Sequence, residues 1–292
     1  MALILFWLVL ALILFYFVVS ALIANGMAMP LRRPIYRTPA SLGVVFEDVS
    51  FRSRADNILL KGWYIPAGHD NTIIVMPGGK QNREDPTTKL LELCVDLAKR
   101  GYNILTFDRR GCGQSEASSL KTRSRLDLDF GGAFDYIRNR NDPRENIFLL
   151  GISIGAVAAL TFAEKQKDIK AIISDSCFAS TSEMARRVMG QKCKAFIIFE
   201  PGAIYMGRLI FGLERESAID KVQHIICPIL FINGADDESI PSEDTYRLLR
   251  TSNNPFDEIW IVNGADHSQS YSIHLDKYID RVVSFLIDRK GK

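Results

Sequence analysis

The sequence predicts an α/β fold: a mostly parallel eight-stranded sheet with helices on both faces and a small helical lid, preceded by one transmembrane helix. Three observations carry this. Short β-branched apolar runs alternate with segments of helical period, which is the pattern of parallel strands buried on both faces. Two segments of alternating polarity come before them. Residues 1–31 contain no Asp, Glu, Lys, Arg or His.

Taken in chain order, Leu3 to Ala24 is almost purely apolar. Its 22 residues, at about 1.5 Å rise each, reach about 33 Å, enough to cross the hydrocarbon of a bilayer. A cleaved signal peptide usually has a basic leading region and a shorter apolar core. This segment has neither, although Val19-Ser20-Ala21 has the shape of a weak cleavage site. The expectation is a retained anchor over residues 1–25. Arg32, Arg33 and Arg37 follow it and nothing basic precedes it, so the positive-inside bias puts the rest of the chain on the cytoplasmic side. Residues 26–40, with Asn25-Gly26 at the start and Pro30, Pro34 and Pro39 within, read as a linker.

A single domain is expected over 41–292. Val44–Phe51 and Leu59–Ile65 read as an antiparallel hairpin turning near Ala55-Asp56-Asn57. The apolar runs are Thr72–Met76, Asn103–Phe107, Ile147–Leu150, Ala171–Ser174, Ile229–Ile232 and Ile259–Val262. Helical periodicity marks Thr88–Arg100, Leu126–Asn139, Ala156–Lys165, Ser242–Thr251 and Tyr271–Arg289. A lid region is expected at about 178–226, where Ala195–Phe199 and Ala203–Leu213 are apolar. They suit either an acyl-chain pocket or bilayer-facing surface, or ordinary helices covering the sheet.

Composition narrows the function. The chain has 292 residues, 47% apolar and 24% charged, with a formal charge of +2. That is ordinary globular composition, and no basic excess points to a nucleic-acid partner. The five cysteines are odd in number and lack any C-x-x-C or metal-ligand spacing. They read as reduced, mostly packed thiols, and no metal is implied.

The chemistry is carried by Gly151-Ile152-Ser153-Ile154-Gly155, between an apolar run and a small-residue helix. A bare G-x-S-x-G arises by chance about 0.1 times in such a chain; its placement between strand and helix is what makes it informative. The turn raises the Ser153 hydroxyl in a strained conformation, and a Cβ at either flank would collide with backbone. Such a serine needs a base. Of His69, His224, His267 and His274, only His267 lies in the loop leaving the last strand, at the sheet edge that carries Ser153. The base needs an acid. Asp236, Asp237 and Glu238 follow the strand Ile229–Ile232, which gives the order Ser, Asp, His.

Three segments then resemble one family. Gly234-x-x-Asp237-x-x-Ile240-Pro241 resembles the acid turn of the α/β-hydrolases. Gly264-Ala265-Asp266-His267 resembles their histidine loop, usually Gly-Ala-Gly-His, and Asp108-Arg109-Arg110-Gly111-Cys112-Gly113-Gln114-Ser115 resembles their turn after the fourth strand. The similarity runs over about residues 42–290, in order. It is greatest to bacterial membrane-anchored enzymes of the serine aminopeptidase-like and esterase-like groups.

The resemblance implies the α/β-hydrolase fold and a triad of Ser153, Asp237 and His267, with Asp236 as the competing acid. It also implies an oxyanion hole from the backbone N–H groups of Ile154 and Gly79, in a loop where Pro77 replaces the family's usual His. No organic cofactor is implied. The expected activity is cleavage of carboxylic esters or thioesters through an acyl-enzyme, on a small or lipid-like acyl substrate. A peptidase of the same fold is the alternative, and an inactive membrane-bound binding module is the second.

Overall fold

A computed structural model describes residues 1–68, 70–140, 146–214 and 217–288. His69 and Arg289 lie outside them. The strands are β1 (Glu47–Arg52), β2 (Leu59–Ile65), β3 (Asn71–Met76), β4 (Asn103–Phe107), β5 (Asn146–Ile152), β6 (Ile169–Asp175), β7 (Ile229–Gly234) and β8 (Glu258–Val262). The α-helices are α1 (Ala2–Ala28), α2 (Leu90–Lys99), α3 (Asp127–Arg140), α4 (Ile154–Lys165), α5 (Thr181–Lys192), α6 (Glu200–Phe211), α7 (Ala218–Lys221), α8 (Ser242–Thr251), α9 (Ser270–Ile273) and α10 (Leu275–Ile287).

The strands form one eight-stranded sheet in the order β1-β2-β4-β3-β5-β6-β7-β8. Pairing is antiparallel at β1–β2 and β2–β4 and parallel elsewhere, so the sheet is mixed. The hairpin read from the sequence opens it, and the turn uses positive φ at Ala55 and Asn57. β-branched and apolar residues dominate β3–β7 because those strands are covered on both faces. One face packs on α3, α4 and α8 through Phe130, Phe134, Phe162 and Leu248. The other packs on α2 and α10 through Leu91, Leu97, Val282 and Phe285. The final helix expected from the sequence is broken at His274, so α9 is a single turn.

The chain divides into two compact units. The larger holds the sheet, and comprises Pro30–Ala117, Leu126–Ser180 and Glu216–Lys292. Its leading segment, read from the sequence as part of a linker, is bound along its length. The Tyr36 N–H donates to Glu84 Oε2 at 2.6 Å, Arg37 pairs with Glu84 and Glu92 at 3.3 and 2.7 Å, and Asn82 Nδ2 donates to the Arg33 and Pro34 carbonyls.

The smaller unit comprises Met1–Met29, Ser118–Arg125 and Thr181–Arg215. Within it α6 lies along α1. They pack tightly at Gly202, where an added Cβ would sit 2.2 Å from Ser20 Oγ. The Gly202 N–H donates to Tyr16 Oη at 3.1 Å, and Phe199 stacks on Tyr16 at 5.4 Å between ring centres. Ala24 is buried with Met189, Ala203 and Phe211. Toward the N-terminus, Leu3–Phe15 of α1 keeps its apolar side chains exposed.

Candidate active site

Three loops at the carboxyl edge of the parallel strands bring the sequence-predicted residues together. The first is the turn from β5 into α4. Ser153 takes φ 55° and ψ −117°, a conformation that non-glycine residues rarely hold. The flanking glycines are a packing requirement. A Cβ at Gly151 would lie 2.3 Å from the Gly155 carbonyl oxygen, and one at Gly155 would lie 2.5 Å from that of Met76. The small residues Ala156, Ala158 and Ala159 then let α4 sit close on the sheet.

The second and third loops leave β7 and β8 and are joined by their backbones. The Ala235 N–H donates to the Val262 carbonyl at 2.8 Å, and the Asp236 N–H to the Ala265 carbonyl at 3.0 Å. Asn233 Nδ2 donates to the Ile240 carbonyl at 2.9 Å, which closes the acid turn. Asp237 is 3% exposed. Its Oδ1 accepts the N–H groups of Ser239 and Ile240 at 3.0 and 2.7 Å, leaving Oδ2 for His267 Nδ1 at 2.7 Å. His267 Nε2 lies 3.0 Å from Ser153 Oγ. Hydroxyl, imidazole and carboxylate therefore form one continuous hydrogen-bonded chain.

The competing acid does not enter it. Asp236 is exposed. The other described histidines stand apart: His224 is exposed, and His274 Nε2 faces the Asn263 carbonyl at 3.3 Å. Asp266, which replaces the glycine of the resembled loop, accepts the His267 N–H at 2.6 Å.

Electrostatics favour a basic imidazole. Burial works to lower the His267 pKa, but the Asp237 hydrogen bond and charge, followed by the charges of Asp175 and Asp266, raise it above the ordinary value.

Gly79 and Ile154 are neighbours: a Cβ built on Gly79 would lie 3.9 Å from Ile154 Cγ2. Ile154 opens α4, so its N–H has no carbonyl within the helix and points where the helix dipole favours negative charge. The Gly78 N–H is engaged by Gln81 Oε1 at 2.6 Å. The loop is held from behind by Arg83, whose guanidinium pairs with Asp108 and lies over the Trp63 ring at 4.4 Å. Asp108 also accepts the N–H groups of Arg83 and Gln114 at 2.8 and 2.9 Å. The turn that starts at Asp108 thus braces the loop carrying Gly79. Among the described residues no cluster of three or more His, Cys, Asp or Glu has metal-site geometry. Cys94, Cys112, Cys177 and Cys227 are buried and Cys193 is exposed.

Sequence reasoning missed Asp175, the last residue of β6, and Ser176 just after it, at the same edge. Asp175 is 2% exposed, and its backbone carbonyl accepts the Ser153 N–H at 2.8 Å. The available signal was a carboxylate closing an apolar strand at the edge where catalytic groups collect.

Residues 69–198 match the family of hydrolases described as serine aminopeptidase, S33. The uncharacterized protein YqkD of Bacillus subtilis is 30% identical over 237 residues, covering 78% of this chain and 75% of that one. The uncharacterized protein YfhR of Salmonella typhi is 28% identical over 260 residues, covering 82% and 81%. Among solved structures, the Pyrococcus furiosus esterase Pf2001 superposes with a TM-score of 0.77 at 25% identity, covering 91% of this chain and 99% of that one. Sheet order, family match and relatives agree, and the chain belongs to the α/β-hydrolase superfamily.

Proposed function

We propose that this protein is a membrane-anchored serine hydrolase that cleaves carboxylic ester or thioester bonds. The observation that carries the reading is the relay Ser153 Oγ, His267 Nε2, His267 Nδ1, Asp237 Oδ2, with contacts of 3.0 and 2.7 Å. Ser153 attacks the acyl carbonyl while His267 takes its proton. Asp237 fixes the tautomer and stabilises the imidazolium. The Gly79 and Ile154 N–H groups receive the oxyanion. His267 then returns the proton to the leaving group, and water, activated by the same imidazole, hydrolyses the acyl-Ser153 ester.

An ester or thioester substrate is the first choice, because an anchored enzyme whose smaller unit carries apolar helices suits acylated molecules. The peptidase reading is favoured by one observation, the match to a family described by its aminopeptidases. A panel of p-nitrophenyl esters of rising chain length beside an aminoacyl-anilide decides between them. Turnover of the esters is expected, and turnover of the anilide alone would reverse the choice. A fluorophosphonate probe is expected to label the wild type and not Ser153→Ala; a folded wild type that resists it would favour a binding module.

In the same reading α1 is the anchor and the sheet-bearing unit is cytoplasmic. Arg37 is paired with acids, but the positive-inside bias counts Lys and Arg rather than net charge. Protease added to sealed spheroplasts is expected to spare the large unit; its digestion from outside would refute the topology.

A further inference from the structure

The carboxylate of Asp175 takes no part in the reaction as written, yet the residue, through its carboxylate and its backbone carbonyl, connects the two loops that must meet. Its Oδ1 accepts the hydroxyls of Ser176 and Ser270 at 3.0 and 3.2 Å, and its Oδ2 accepts the Tyr278 hydroxyl at 3.0 Å. Its carbonyl holds the Ser153 N–H at 2.8 Å. Ser176 Oγ in turn accepts the N–H of Ser268, the residue after His267, at 3.1 Å. One side of this network therefore holds the turn that raises the hydroxyl, and the other holds the loop that carries the imidazole.

Backbone geometry shows what the network restrains. Ser153, Ser176 and Ser268 have φ values of 55°, 55° and 58°. Each such residue is strained and persists only where its surroundings over-determine it. All three are tied to Asp175 directly or through one hydroxyl. A fully apolar filler could occupy the volume, but it could not accept three hydroxyls, and each orphaned donor would be penalised.

We infer that Asp175 is a positioning residue for the proposed Ser153–His267 relay, holding the two loops in register and, as an anion, favouring the imidazolium formed while Ser153 attacks. The inference rests on the proposed roles of Ser153 and His267.

The groups facing Asp175 are Ser176 from its own strand end, Ser270 from α9, Tyr278 from α10 and, by charge, His267. Tyr271 lies behind Tyr278, at 5.6 Å between ring centres, with its hydroxyl on Asp96. Burial pushes the Asp175 carboxyl up to about 6, against the hydroxyl bonds and His267, which lower it. With its carboxyl near 6, Asp175 carries a negative charge at neutral pH and above. Its charge adds to those of Asp237 and Asp266 in raising His267.

The test uses the full chain with Asp175→Asn, Ser176→Ala and Tyr278→Phe, read by the pH profile of p-nitrophenyl ester hydrolysis. A misplacement near 1 Å is enough to cost about 100-fold. Asp175→Asn is expected to lower kcat about 10–100-fold, leave KM within about twofold, and move the acidic limb of kcat/KM to lower pH, because a negative charge near the imidazole is gone. Ser176→Ala is expected to lower kcat about 10-fold with the limb unmoved, because the charge remains. A merely structural role would lower the melting temperature without displacing the limb. Wild-type kcat and an unmoved limb in Asp175→Asn would overturn the inference. If that variant fails to fold, wild-type kcat in both Ser176→Ala and Tyr278→Phe would overturn it. Failure of the wild type to react with a fluorophosphonate would instead refute the Ser153 reading itself.

Discussion

Replacing Asp237 with Asn probes the relay at the point where its geometry is most constrained. The amide is nearly isosteric, so packing is preserved. Its oxygen must stay where Asp237 Oδ1 now is, because two backbone N–H groups, of Ser239 and Ile240, point there at 3.0 and 2.7 Å. Flipping the amide would set its NH2 against both donors. The NH2 therefore replaces Oδ2, 2.7 Å from His267 Nδ1, and forces that nitrogen to accept. The ring proton moves to Nε2, 3.0 Å from Ser153 Oγ, where a base needs a lone pair. The same substitution in a serine protease triad costs about 10⁴-fold in kcat, or about 5.5 kcal/mol of transition-state stabilisation. The expected result is a loss of that order in p-nitrophenyl butyrate hydrolysis, with an unchanged melting temperature. Asp236→Asn, at an exposed carboxylate outside the relay, is expected to stay within about threefold of wild type. A folded Asp237→Asn enzyme within 10-fold of wild type, or an equal loss in Asp236→Asn, would refute the reasoning.

The free base must be neutral and the His267 pKa is raised, so the acidic limb of kcat/KM should fall above the ordinary imidazole value of about 6.5; a limb below 6 would contradict it. Gly155→Ala would put a Cβ 2.5 Å from the Met76 carbonyl oxygen and 2.8 Å from that of Pro77. It should cost about 1–3 kcal/mol by thermal or urea unfolding and remove most activity. Arg110 is 1% exposed, donates from Nε and Nη2 to Asp129 Oδ1 at 2.9 and 2.7 Å, and reaches Asp56 through Nη1 at 2.7 Å. Arg110→Met would leave the buried Asp129 charge uncompensated and should cost about 3–5 kcal/mol. Burial pushes the thiols of Cys94, Cys177 and Cys227 up to about 12 and also raises that of Cys112. Titration of the native protein with a disulfide reagent should therefore show one fast thiol, Cys193, and no fast reaction in Cys193→Ser.

The sheet, and the meeting of Ser153, Asp237 and His267 at one edge of it, were legible for a physical reason. A strand covered on both faces must be apolar along its length, so the runs TIIVM, NILTF and ILFI announce β3, β4 and β7 without knowledge of their neighbours. The strained serine turn needs glycine at fixed offsets, and so leaves a local signature. What the sequence hid depends on contacts between distant residues. The strand read as Ala171–Ser174 ends one residue later, at Asp175, whose partners Ser270 and Tyr278 lie some hundred residues on. A buried carboxylate looks the same in sequence as an exposed one. Arg33 and Arg37 read as juxtamembrane charge, yet they meet Asp85, Glu84 and Glu92, ion pairs between segments some fifty residues apart that no local pattern announces. Tyr16 and Ser20 lie inside the almost purely apolar Leu3–Ala24 segment, and their contact with Gly202 depends on α6 lying along α1, some 180 residues away in the chain.

The most direct measurement is mass spectrometry of the enzyme quenched in acid during turnover of a p-nitrophenyl acyl ester, followed by peptide mapping. An acyl group on the peptide bearing Ser153, absent after the ester is exhausted and absent throughout in Ser153→Ala, is the expected result. Sustained hydrolysis with no acyl group on that peptide, or with the acyl group on another residue, would contradict covalent catalysis at Ser153.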